Sequence, residues 1–144
     1  MLNDINGLSH VIQLAVAPVF LLTAIATIIT ALNNRLGRIV DRRRVVLNSR
    51  AHMSTEETQQ AEIELGVLSR RAKHIYSAMV AAVVSALLIC LVVAGAFLGA
   101  LVSVDLAQMV ALFFVLAMFA LIVSLALFLR EVFLAVSTGV HRAR

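Results

Sequence analysis

The chain has 144 residues, 62% of them hydrophobic and 14% charged, with a mean hydropathy of +1.01 and a formal net charge of +4. One soluble domain of this length cannot hide so much apolar surface from water, so the composition excludes an ordinary soluble globular protein. The sequence pI near 10.6 does not point to nucleic acid, because basic residues beside apolar stretches first serve membrane topology and anionic headgroups.

Three uncharged stretches are each long enough to cross a hydrocarbon core of roughly 30 Å as a helix: residues 11–32, 76–104 and 106–129. The expected fold class is an all-α integral membrane protein with three transmembrane helices, forming one membrane domain over residues 1–144. No Lys or Arg precedes the first stretch, Val11 to Leu32, and no convincing cleavage site follows it, so it reads as a retained anchor. Pro18 lies inside it, where neighbouring helices tolerate a kink.

Thr23, Thr27, Thr30 and Asn34 follow one another at helical steps and share one face of the first helix. Phe20, Val16 and Gln13 extend that face backwards, and Arg38 and Asp41 extend it forwards. Hydroxyls on such a face line water or hydrogen-bond a neighbouring helix. Threonine also bonds its own backbone one turn earlier, which lessens the need for either. Pore lining and helix packing both remain open for Gln13, Phe20, Thr23, Thr27, Thr30, Asn34 and Arg38.

Residues 33–75 form the one sizeable hydrophilic region, with little Gly and no Pro. Leu32, Leu36, Ile39, Arg43 and Val46 recur at alternating four- and three-residue steps, which continues the first helix beyond the membrane. Ser54 followed by Glu57 is a capping-box pattern, so a second helix is expected to start at Thr55. Ala61, Leu65, Leu68, Ala72 and Ile75 repeat the spacing and run into the second stretch. The expectation is an antiparallel cytoplasmic hairpin in which Glu56, Glu57, Glu62 and Glu64 face Arg42, Arg43, Arg44 and Arg50. Exposed ion pairs of this kind fix register more than they add stability.

In the second stretch, Gly95 and Gly99 of "GAFLG" follow the small residues Ala81, Ala82, Ser85 and Ala86. Small residues four apart let two backbones approach closely, either within the monomer or between subunits. Cys90 is the single cysteine and reads as a small apolar packing residue. A short connection around "SVDLAQ" makes stretches two and three a tight antiparallel pair, with Asp105 placed to cap the third helix.

"FLREVFLA" puts Arg130 and Glu131 at the end of the third stretch. One reading is an interfacial stop with snorkelling side chains. The other joins Arg130 or Glu131 to the cluster of Asp41, Arg42 and Arg43 in a cytoplasmic charge network.

All 12 basic residues fall between stretches one and two or after stretch three, while the opposite side offers only Asp4 and Asp105. The N-terminus is therefore expected outside and the C-terminus, through Arg144, in the cytoplasm. His10, His52, His74 and His141 are scattered with no Cys, Asp or Glu at ligand spacing, so no metal and no cofactor is expected. There is no phosphate loop, nucleophile elbow or intramembrane carboxylate pair, so an enzyme is not expected.

The segments "IQLAVAPVFLLTAIATIITALNNRLGRIVDRRR", "LSRRAKHI" and "LFLREVFLA" resemble the small bacterial inner-membrane proteins grouped as domain-of-unknown-function family 2721. The resemblance runs from about Ile12 to Val136, and "APVFLL", "NRLGRIVDR" and "LREVFLA" are its most distinctive parts. It implies a three-span bacterial protein and carries over no activity and no functional residue.

Three spans are too few to enclose a path in one monomer, whereas a ring of subunits builds one around its axis. The first functional expectation is thus a homo-oligomeric membrane protein, a small ion-conducting channel lined by the first span. The rival is a non-conducting scaffold or accessory subunit whose basic hairpin binds a protein partner or anionic lipid. In either case membrane lipid is a partner and nucleic acid is not.

Overall fold

The structure, a computed structural model, describes residues 2–103 and 105–141, with the side chains of 2–8, 11, 14, 15 and 136–141 outside the description. The side chains of Asp4, Val11, Val136 and His141, and all of Val104 and Arg144, therefore lie outside the described residues. The architecture is all-helical: α1 (Leu2–Ser49), a short 3-10 turn (Arg50–His52), α2 (Thr55–Val102) and α3 (Ala107–His141). Segments Val16–His52, Thr55–Val102 and Ala107–Ala135 are each long and apolar enough to cross a membrane.

Local chemistry sets the helix ends. The Ser54 backbone N–H donates to Glu57 Oε2 at 2.7 Å, and the Glu57 N–H reaches back to Ser54 Oγ at 3.4 Å. That reciprocal pair satisfies two donors that a helix start otherwise leaves open, and α2 begins at Thr55 as the sequence predicts. Glu57 lies outside the uncharged stretches, and the Ser54 backbone N–H, then the Ser54 hydroxyl, hold its carboxyl below its ordinary value. At the other end of α2, Ser103 takes the left-handed conformation, with φ of 56°, and breaks the helix. The Ala107 N–H then donates to Asp105 Oδ1 at 3.1 Å, so Asp105 caps α3.

The helices contribute to two compact units. The first comprises Met1–Ile29 and Ala81–Val123. Its core is Ile25, Ala82, Ile89, Ala117 and Leu121, with Leu21, Leu22, Ile28, Ile29, Ala86 and Leu88 packed around it. Small residues bring α2 and α3 close here. Ser85 Oγ, fully buried, donates to the Ala117 carbonyl at 2.8 Å, and a Cβ on Gly95 would stand 3.0 Å from Val110 Cγ2.

The second unit comprises Thr30–Val80 and Ser124–Arg144. Leu32, Ile39 and Val46 of α1 are buried, as are Ala61, Leu68, Ile75 and Ala78 of α2. The seven-residue steps in both sets are those of a packed helix seam. Arg42 to Glu64 and Arg50 to Glu62 are ion pairs across α1 and α2. From α3, Ser124 Oγ donates to the Ala78 carbonyl at 2.8 Å.

Outside these seams the helices present large apolar side chains. Leu101 is 82% exposed, Phe20 72% and Phe119 66%. Such faces match hydrocarbon rather than water, which fits a multi-pass membrane protein.

Candidate functional site

Every residue of the α1 stripe is exposed. In the first unit Gln13, Val16, Phe20, Thr23 and Thr27 are exposed, and in the second Thr30, Asn34, Arg38 and Asp41 are exposed. None of them belongs to the buried seam. Thr23 Oγ1 donates to the Val19 carbonyl at 3.3 Å and Thr27 Oγ1 to the Thr23 carbonyl at 3.0 Å. Those hydroxyl protons are therefore engaged within the helix, and what the face offers outward is mainly hydroxyl lone pairs and methyl groups.

Gly95 and Gly99 line an apolar cavity of about 630 Å³ in the first unit, with Ala17, Pro18, Val110 and Phe114 among its walls. The tight approach of Gly95 to Val110 lies within the chain, between α2 and α3.

The charged end of the second unit is more organised. Glu131 is 1% exposed, and Arg71 places both Nε, at 2.8 Å, and Nη2, at 2.7 Å, on the single carboxylate oxygen Oε1. Its other oxygen, Oε2, is buried with no hydrogen-bond partner among the described residues. Arg35, Arg38, Arg42 and Arg71 surround this carboxylate in a cavity of about 320 Å³. Arg42 is held by Glu64 through two nitrogens, at 2.8 and 3.3 Å, and the Arg35 guanidinium lies 5.2 Å from the centre of the Phe128 ring.

The expected network of Asp41, Arg42, Arg43, Arg130 and Glu131 is thus assembled differently. Glu131 takes Arg71 of α2 as its partner instead of the Asp41–Arg43 cluster. Arg42 turns to Glu64, and among the described residues no ion pair joins Arg130 to Asp41 or Glu131 to Arg43. The reason is helical register. Glu131 is seven residues beyond Ser124 and Arg71 seven before Ala78, so the pair sits on the α2–α3 seam that the Ser124–Ala78 bond defines.

A comparison with protein families matches residues 15–139 to the family described as protein of unknown function, DUF2721. The chain belongs to this family. No curated protein and no solved structure matches this DUF2721 chain. Among its described residues no group of three or more His, Cys, Asp or Glu is placed to hold a metal ion. Three residues of this DUF2721 protein escaped sequence reasoning: Arg71, Arg35 as the partner of Phe128, and Ser124. The signal for two of them is the seven-residue step that links Ser124 to Glu131 and Arg71 to Ala78.

Proposed function

We propose that this DUF2721 protein is a non-enzymatic homo-oligomer of the bacterial inner membrane, N-terminus outside, that conducts small ions along an axis lined by α1. The observation that carries this reading is the exposure of Thr23, Thr27, Thr30, Asn34 and Arg38, which share one face of α1. A second copy placed against that face brings rings of threonine oxygen to the axis, with Asn34 and Arg38 at the mouth. Thr23 and Thr27 already bond their own backbone, which leaves their lone pairs to face passing ions.

The test couples mass to flux. Light scattering in detergent is expected to give an oligomer, and proteoliposomes are expected to pass ions at a rate that Thr27→Leu lowers about tenfold or more. A monomer, or flux that Thr27→Leu leaves unchanged, overturns the reading.

A second reading has its own observation. With Arg42 and Arg50 engaged by Glu64 and Glu62, Arg43, Arg44, Arg70 and Lys73 stay exposed. That basic surface fits a scaffold or accessory subunit that binds an acidic protein partner or the anionic leaflet. Equal binding of acidic and neutral vesicles by the reconstituted full chain removes the lipid version.

A further inference from the structure

The strongest unassigned feature is the cavity around Glu131. Four arginines, Arg35, Arg38, Arg42 and Arg71, line it beside one carboxylate in about 320 Å³, the low end of the roughly 300–1,000 Å³ typical of small-ligand sites. Two of the four are already committed, Arg42 to Glu64 and Arg71 to Glu131. Arg35 and Arg38 form no ion pair among the described residues. The cavity therefore holds an excess of planar, bidentate donors of the kind that matches phosphate oxygens.

The second observation concerns Glu131 itself. Arg71 engages only Oε1, and Oε2 is buried without a donor among the described residues. A buried polar atom left unpaired is costly, more so when it carries charge. The occupant that suits both halves of the site carries an anionic phosphate for the arginines and, next to it, a hydroxyl or ammonium donor for Oε2.

The position of the cavity narrows the class further. Arg35 follows the uncharged stretch ending at Leu32, Arg71 precedes the one starting at Tyr76, and Glu131 follows the one ending at Leu129. The site therefore lies where three apolar helices leave hydrocarbon, at headgroup depth. We propose that the Arg35–Arg38–Arg42–Arg71 cavity binds the headgroup of a phospholipid whose phosphate is followed by a hydrogen-bond donor, as in phosphoethanolamine or phosphoglycerol. The arginines hold the phosphate, Glu131 Oε2 accepts the donor, and the acyl chains remain in the bilayer. This site does not depend on ion conduction.

The test uses the full chain, stripped of lipid in a phosphate-free neutral detergent. Short-chain phosphatidylethanolamine, phosphatidylglycerol, phosphatidylcholine and inorganic phosphate are titrated separately, with binding read from the thermal-unfolding midpoint and by native mass spectrometry. The ethanolamine or glycerol lipid is expected to bind about tenfold tighter than the choline lipid, which has no donor to offer Oε2. Arg35→Gln, chosen because it lies off the α1 stripe, is expected to weaken that lipid about tenfold. Arg35→Lys restores part of the loss, and Gln59→Ala, exposed and outside the cavity, leaves binding unchanged. Arg38→Gln serves as the second variant if Arg35→Gln does not fold. Equal binding by wild type and the folded variant, or no preference over the choline lipid, overturns the proposal. Inorganic phosphate matching the lipids at equal concentration overturns the lipid source and assigns the cavity to a free phosphate.

Discussion

Arg71 and Glu131, 60 residues apart in sequence, meet with both guanidinium contacts on one carboxylate oxygen, while the other oxygen has no partner among the described residues. The carboxylate is 1% exposed and the arginine side chain 25%, so the pair belongs to the interior of the α2–α3 seam. Removing Arg71 leaves an uncompensated buried charge, and Arg71→Ala is expected to cost about 3–5 kcal/mol. Arg71→Met with Glu131→Met, which removes both charges, is expected to recover most of that loss. Unfolding in mixed micelles measures both, and additive losses would show that the two residues are not coupled.

Ser85 and Ser124 each donate a 2.8 Å hydrogen bond to a carbonyl of the facing helix. Ser85→Ala and Ser124→Ala are each expected to destabilise by about 0.6 kcal/mol and at most ~1.7 kcal/mol, the range for hydrogen bonds between membrane helices. The same micelle titration reads the effect, and a loss well beyond that range would assign the serines a larger role than cross-helix bonding.

The helical glycines divide by what surrounds them. Gly37 and Gly66 have open space where a Cβ would go, so Gly37→Ala and Gly66→Ala are each expected to stabilise by roughly 0.5–1 kcal/mol through helix propensity. A Cβ on Gly95 would stand 3.0 Å from Val110 Cγ2, so Gly95→Leu is expected to push α2 from α3 and lower the unfolding midpoint. Opposite signs at the two kinds of site are the measured signature.

The Ser54–Glu57 cap makes part of the stability pH-dependent. Hydrogen bonds from Ser54 lower the Glu57 pKa in the folded chain from its ordinary 4.5, so the folded state favours the ionised form. The stabilisation is complete above the unfolded value and is lost as pH falls through the lower, folded value. Glu57→Ala is expected to lower the unfolding midpoint at pH 7, with the difference from wild type shrinking as pH falls below the ordinary value of 4.5. A constant difference across that range would mean the carboxylate is not what caps α2.

Much of the fold was legible because its causes are local. Uncharged stretches of sufficient length, the Ser54–Glu57 pattern and the seam through Leu32, Ile39 and Val46 need only neighbours along the chain. The charge network depends on which way each helix is turned, and there the reading stopped at adjacency: Arg130 and Glu131 lie side by side in sequence but on different faces. Carrying the seven-residue step past Leu129 from Ser124 to Glu131 places the carboxylate on the inner seam. The α1 stripe shows the other limit. Its shared face follows from spacing, but that Thr23, Thr27 and Thr30 face away from the seam follows only from where Ile25 and Leu32 are buried.

The bond from Ser124 to the Ala78 carbonyl has a consequence for alignment. A seam of aliphatic residues at seven-residue intervals fits nearly as well after sliding by one repeat, about 10 Å along the axis. Sliding α3 along α2 by that amount sets the Ser124 hydroxyl opposite Arg71, or carries the Glu131 carboxylate to Ala78 and into the hydrocarbon. A single hydroxyl and a single carboxylate, one repeat apart, thus make the permitted alignments unequal, and the helix pair has one depth at which it can rest.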